Sequence, residues 1–97
     1  MTNIFEVRDK TGRTIYLSNK RWKDHILVEH PYLTNKLEEI KETLIKPTII
    51  LQSKYDEKVS YYFSWNKKTK EYLMVAVKYL NGSGFIITAY YVKNLRR

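Results

Sequence analysis

The sequence predicts a single α+β domain: an N-terminal β-hairpin, two helices, then a four-stranded antiparallel meander with the helices packed on the sheet. Three observations carry that expectation. Apolar residues alternate with period two near the N-terminus and again from Thr48 onward, whereas between Ser18 and Pro47 they recur at helical spacing. The period-two segments are separated by turn-forming clusters at residues 9–12, 54–57, 66–70 and 81–84. At 97 residues, the chain has room for one core and no more.

Residues 4–8 (IFEVR) alternate as a strand, Asp9-Lys10-Thr11-Gly12 turns the chain, and residues 14–17 (TIYL) complete the hairpin. Ser18 or Asn19 then supplies an N-cap, and Pro31 biases His30 out of the α region, so the first helix ends about there. Its ridge spaced by four carries Arg21, His25 and Glu29, and the neighbouring ridge carries Trp22, Ile26 and His30. Trp22 and Ile26 are expected inside, which leaves His25 at the border of the buried stripe. Thr34 or Asn35 caps the second helix, Leu37, Ile40, Leu44 and Ile45 form its apolar face, and Pro47 stops it. Lys36, Glu38, Glu39, Lys41 and Glu42 are its solvated side. The meander strands fall at residues 48–53, 58–65, 71–80 and 85–92. In the last of them, strict alternation predicts Phe85, Ile87, Ala89 and Tyr91 on one face and Ile86, Thr88, Tyr90 and Val92 on the other.

Charge narrows the partners. A formal net charge of +8 on so short a chain favours nucleic acid first and a membrane surface second. No basic amphipathic helix stands out, which lowers the membrane option. Nine tyrosines, two tryptophans and three phenylalanines are interleaved with the lysines, a mixture that suits base stacking beside phosphate contacts as well as the filling of a small core. There is no cysteine, so disulfides and thiolate metal sites are excluded, in keeping with a reducing cytoplasm. No apolar run approaches the ~20 residues that span a bilayer, and Met1 to Val7 lacks a signal-peptide core.

Both histidines of the chain lie in the stretch Trp22–Pro31 (WKDHILVEHP). Zinc is the first alternative to weigh for such a pair. Spaced by five on an α-helix the two side chains diverge, and no cysteine or carboxylate cluster accompanies them, so no metal is expected. No glycine-rich phosphate loop is present, since Gly82 and Gly84 are expected in a hairpin turn.

The pattern W-x-x-H-I-x-x-x-H-P on the first helix, K-P-T-I-I entering the meander and G-F-I-I-T-A-Y-Y in the last strand resembles the barnase–EndoU–colicin–RelE nuclease superfamily, in particular its branch found in phage and mobile-element proteins. The likeness runs from the opening hairpin to Val92. It implies metal-independent RNA cleavage on a sheet with helices packed against it. Matched position by position, it assigns catalytic roles to His25, His30 and the hydroxyl of Thr88, with Tyr90 or Tyr91 beside it. Arg21, Lys78 and Lys93 are the candidates for the cation that stabilises the transition state. With Lys23 and Tyr90, they are also the expected RNA contacts.

RNA is cut without a metal when its own 2′-OH attacks the adjacent phosphate. Such a reaction needs a base for that hydroxyl, an acid for the departing 5′ oxygen and a cation for the phosphorane. Histidine suits the proton work because it titrates near neutrality. His25, with Glu29 one turn away to orient it, is the preferred base. His30, at the helix C-terminus where the dipole favours imidazolium, is the acid. For His30 the competing reading is a simple cap on helix carbonyls. Three function classes follow. The first is a cytoplasmic endoribonuclease leaving a 2′,3′-cyclic phosphate, acting on tRNA or mRNA and, as a toxin, held in check by an acidic inhibitor or antitoxin protein. The second is a non-catalytic RNA-binding module of the same fold. The third is a protein–protein adaptor with incidental charge.

Overall fold

The computed structural model describes residues 2–95. Strands β1 (Asn3–Arg8) and β2 (Thr14–Ser18) form the opening hairpin. Strands β3 (Ile49–Gln52), β4 (Val59–Asn66), β5 (Glu71–Leu80) and β6 (Ser83–Val92) follow the helices, each antiparallel to the next. The α+β class is as expected, but the meander is not a sheet of its own. Strand β2 lies parallel to β6, residues Thr14–Tyr16 against Ser83–Phe85, and this joins all the strands into one mixed sheet in the order β1-β2-β6-β5-β4-β3. The physical reason is the free edge of β6: its first three residues take the hairpin as a partner, and backbone groups there are thereby paired.

The β5–β6 connection is tighter than expected. Asn81 and Gly82 alone make the turn, with φ of 51° and 88°. Positive φ at both central residues is what a two-residue hairpin loop needs to match strand twist. The last strand therefore starts at Ser83, and Gly84 belongs to it rather than to the turn. A Cβ at Gly84 would stand 2.9 Å from Tyr79 Cδ1 and 3.0 Å from the Lys78 carbonyl, so the residue is glycine because the backbone is crowded there.

The first helix covers residues 19–29 and is not a regular α-helix. Ser18 caps it, its Oγ accepting the Arg21 N–H at 3.1 Å. Between short α-helical turns at Asn19–Arg21 and Leu27–Glu29, Trp22–Ile26 is π-helical, and the Leu27 N–H reaches five residues back to the Trp22 carbonyl. The wider turn breaks the ridges spaced by four, although Trp22 and Ile26 are both buried as expected.

Neither Thr34 nor Asn35 caps the second helix (Leu37–Ile45), whose N-cap residue is Lys36, without a side-chain bond. Thr34 instead donates its hydroxyl to the Pro31 carbonyl at 2.7 Å, closing a 3₁₀ turn (Pro31–Leu33) that sinks Leu33 into the core. Ile40 and Leu44 face inward as expected. Ile45 is exposed, and Thr43 takes the inner position with its hydroxyl donated to the Glu39 carbonyl.

Both helices lie on one face of the sheet, where Trp22, Ile26, Leu33, Ile40 and Leu44 meet Ile15, Leu17, Tyr62, Val75, Ile86 and Ala89. On the other face Phe63, Met74 and Ala76 are buried only by neighbouring side chains of the sheet itself, chiefly Tyr61, Tyr72, Ile87 and Tyr90. No helix among the described residues is long and apolar enough to cross a membrane.

One buried polar cluster ties the first hairpin to the sheet. Asp9 accepts from the Thr11 N–H and hydroxyl and the Arg13 N–H through Oδ1, and from the hydroxyls of Tyr62 and Tyr79 through Oδ2. Burial alone would raise the Asp9 carboxyl, but the hydrogen bonds from Tyr62, Tyr79, Thr11 and Arg13 outweigh it and hold the group below its ordinary range. Burial, with the bond to Asp9, pushes the Tyr62 phenol up and that of Tyr79 to about 12. The Arg13 guanidinium covers the Tyr79 ring at 4.1 Å. Every polar atom of this cluster is satisfied, which marks it as a structural clamp.

Candidate active site

The site is built where β2 and β6 part. Their pairing ends at Tyr16 and Phe85, and the first helix runs along the edge of β6 that β2 leaves free. His25 is exposed and lines a cleft of about 410 Å³ with Tyr16, Ser18, Lys20, Arg21, Phe85 and Ile86. Tyr16 and Phe85 form its aromatic floor, their ring centres 6.1 Å apart. One and a half turns further along the helix, His30 packs its ring on Tyr90 at 4.9 Å.

What unites these two ends is a β-bulge. The β5–β6 register passes from Ala76 opposite Thr88 to Val77 opposite Ile86, so Ile87 is an extra residue on β6. The expected strict alternation therefore fails. Phe85, Thr88, Tyr90 and Val92 stand opposite Lys78, Ala76, Met74 and Tyr72, all on the face away from the helices. Ile86, Ala89 and Tyr91 stand opposite Val77, Val75 and Leu73 on the helix side. Without the bulge, Phe85 and Thr88 would point to opposite faces. With it, Phe85 of the His25 cleft, Thr88 and Tyr90, on which His30 packs, stand on one face of the sheet.

The remaining predicted residues divide. Arg21 and Lys20 border the His25 cleft, and Lys23 is exposed on the same helix. Lys78 lies on the right face beside Phe85, but its ammonium is 3.3 Å from the Asp56 carboxylate and so is partly neutralised. The backbone N–H of Lys58 first, and then Lys78, hold Asp56 below the usual carboxylate range. Lys93 is exposed just past the end of β6. Two expectations are corrected. Tyr91 belongs to the helix side, its ring packed on the core and against Tyr32, so it does not share the surface of Thr88. Glu29 makes no ion pair with His25 among the described residues, because the π-turn breaks the spacing that would have aligned them.

Sequence reasoning missed Tyr16, Phe85 and Tyr32. Tyr32 closes the open edge of β6, its hydroxyl 3.3 Å from the Tyr91 N–H that donates to it and 3.4 Å from His30 Nδ1. His30 thus spends its ring on aromatic neighbours and not on helix carbonyls. The signal for Tyr32 was its place right after His30-Pro31; for Tyr16 and Phe85, there was none without the β2–β6 pairing. No group of three or more histidine, cysteine, aspartate or glutamate side chains converges among the described residues.

Neither a protein-family model, a curated protein nor a solved structure matches the chain.

Proposed function

We propose that the protein is a cytoplasmic endoribonuclease of the barnase–EndoU–colicin–RelE type that cleaves RNA without a metal. The observation that supports this reading is the bulge at Ile87, which puts Phe85 of the His25 cleft, Thr88 and Tyr90, the ring under His30, on one face of the sheet, with the cations Lys20 and Arg21 bordering that cleft. In the reaction, His25 takes the proton of a ribose 2′-OH as O2′ attacks phosphorus. The P–O5′ bond breaks, and His30 in its protonated form gives a proton to the departing O5′. A 2′,3′-cyclic phosphate and a free 5′-hydroxyl result. Arg21 and Lys20 stabilise the charge on the phosphorane, the share of catalysis that is often largest, and Thr88 donates a hydrogen bond to a phosphate oxygen. A free ribonuclease is dangerous to its own cell, so an acidic inhibitor or antitoxin covering the cationic cleft is part of the proposal.

A second reading is favoured by the absence, among the described residues, of a carboxylate paired with either histidine: the same surface binds RNA without cutting it. End-group analysis of RNA incubated with the protein in the presence of a chelator separates the two. Cyclic-phosphate ends that disappear with His25→Ala are expected. Products ending in 3′-hydroxyl overturn the mechanism, and RNA that is bound but intact establishes the binding module.

A further inference from the structure

At the corner of the open sheet face diagonal to the His25 cleft, Trp65 and Tyr72 are cross-strand neighbours with ring centres 4.9 Å apart, edge to face. Tyr72 is held from its other side by Phe63, again edge to face at 6.0 Å. Trp65 is 42% exposed, although a tryptophan of this chain that serves the core, Trp22, is 5% exposed. The backbone under Trp65 is fixed, its N–H donated to Thr48 Oγ1 at 3.0 Å. Among the described residues no strand lies beyond it, because β3 pairs with β4 only as far as Phe63. An edge-to-face pair covers at most one face of one ring, so a flat π-surface is left open on a rigid support.

Charge surrounds this pair. The adjoining β4–β5 turn carries Lys67, Lys68 and Lys70, and Lys93 follows Val92, the β6 residue opposite Tyr72. The turn is itself rigid, since Asn66 Oδ1 accepts the N–H groups of Lys68 and Thr69. On the helix side Lys67, Lys68 and Trp65 itself border a cleft with Lys36, Glu38, Glu39 and Glu42, and the three carboxylates there disfavour an anion. Tyr72, opposite Trp65, packs on the open face, where a polyanion meets the aromatic pair without those carboxylates.

We infer that Trp65 and Tyr72 form a base-stacking subsite for single-stranded RNA, with the turn lysines taking its phosphates. The inference rests on the ribonuclease reading only for its role, which is to hold the strand on one side of the cleavage point. Exposed aromatics beside lysines are the sequence-tolerant way of gripping unpaired bases. Along β5 from Lys78, opposite Phe85, to Tyr72 is roughly 20 Å, and two strand spacings across to Trp65 bring the diagonal to roughly 22 Å. That is about six or seven nucleotides of a stacked strand at ~3.4 Å each. A ten-nucleotide strand reaches both sites and a dinucleotide does not.

The test uses an uncleavable 2′-O-methyl oligouridylate of ten nucleotides, so it does not depend on whether the protein cuts RNA. Binding is expected to quench the emission of Trp65, while buried Trp22 keeps its own. By polarisation of a labelled oligonucleotide, Trp65→Ala should weaken binding about five- to hundredfold and Trp65→Phe should restore most of it. Lys67→Glu with Lys68→Glu should flatten the salt dependence by about 0.7 per lysine in the log–log slope. An abasic phosphodiester strand that binds as tightly as the oligouridylate, or Trp65 emission indifferent to the oligonucleotide, overturns the subsite. If the protein does cleave, Trp65→Ala should raise KM for a decamer and leave dinucleotide cleavage unchanged. Equal losses on both substrates contradict a remote subsite.

Discussion

His30 lies on the ring of Tyr90, centre to centre 4.9 Å and tilted by 33°, at the end of the strand face that also carries Thr88. If the imidazole is the general acid, this aromatic contact is what aims it. Replacing His30 by Ala should lower kcat by about 10²–10⁴, the usual worth of a positioned acid or base. Tyr90→Leu keeps the bulk on the sheet and removes the ring. It should cost roughly tenfold to a hundredfold in kcat through misplacement of the imidazole. Cleavage of a dinucleotide, with a thermal melt to show that both variants fold, checks this pair of expectations. Wild-type rates in Tyr90→Leu would separate the tyrosine from the chemistry.

The neighbouring tyrosine should behave in the opposite way. Tyr91 packs on the core and against Tyr32 from the helix side. Tyr91→Phe is expected to keep cleavage within about twofold, and Tyr91→Ala to lose about 2 kcal/mol of stability, less than a fully buried aromatic because the ring is half-buried. Denaturant melts together with the dinucleotide assay distinguish the two tyrosines.

The bulge makes a sharper test of the site's construction. Deleting Ile87 removes the extra residue and leaves Ile86 and Ala89 two apart, as are Phe85 and Thr88, so both halves of β6 keep their faces and their partners on β5. Only the half-buried Ile87 side chain is lost, at a cost of about 1–2 kcal/mol, and cleavage should stay within about tenfold of the wild type. Denaturant melts and the dinucleotide assay check both. A folded deletion variant that no longer cleaves would mean that the site needs the local bend of the bulge and not only the shared face of Phe85 and Thr88.

What could be read from the sequence was what local pattern encodes. Alternation and turn residues locate strands β1 to β6 to within two residues, and the place before the helical spacing narrows the cap to Ser18 or Asn19, of which Ser18 makes the bond. Three features were out of reach because distant parts of the chain create them. The parallel match of β2 with β6 leaves no local mark, and without it Tyr16 and Phe85 cannot be assigned to the His25 cleft. The Ile87 bulge hides in a run of β-formers that reads equally well as strict alternation, and this is why the pattern puts Phe85 on the face opposite Thr88. The π-turn at Trp22–Ile26 costs nothing in propensity terms, yet it removes the spacing on which the Glu29–His25 pairing depended. The bulge and the π-turn each come from an extra residue in a regular element, to which a pattern of fixed period is blind.

Asp9 offers the prediction in which pH enters. Its carboxylate is buried and accepts from two tyrosine hydroxyls, the Thr11 N–H and hydroxyl and the Arg13 N–H, and these bonds hold it below the ordinary carboxylate range. The unfolded chain therefore takes up the Asp9 proton at a higher pH than the folded chain does. Stability contributed by the carboxylate is fully present above the unfolded value, near 4, and is lost as pH falls through the folded value. Asp9→Asn keeps the shape and removes the charge. At pH 7 it should cost about 2 kcal/mol, in the range for hydrogen bonds to a charged group, or roughly 8–16 °C in Tm for a domain of this size. Between pH 4 and pH 2 the gap in Tm should narrow, because the wild type acquires the proton that the asparagine never needed. Thermal melts of both proteins across that range decide the matter: a gap that stays constant would show that the clamp works through shape alone and that the ionised carboxylate adds nothing.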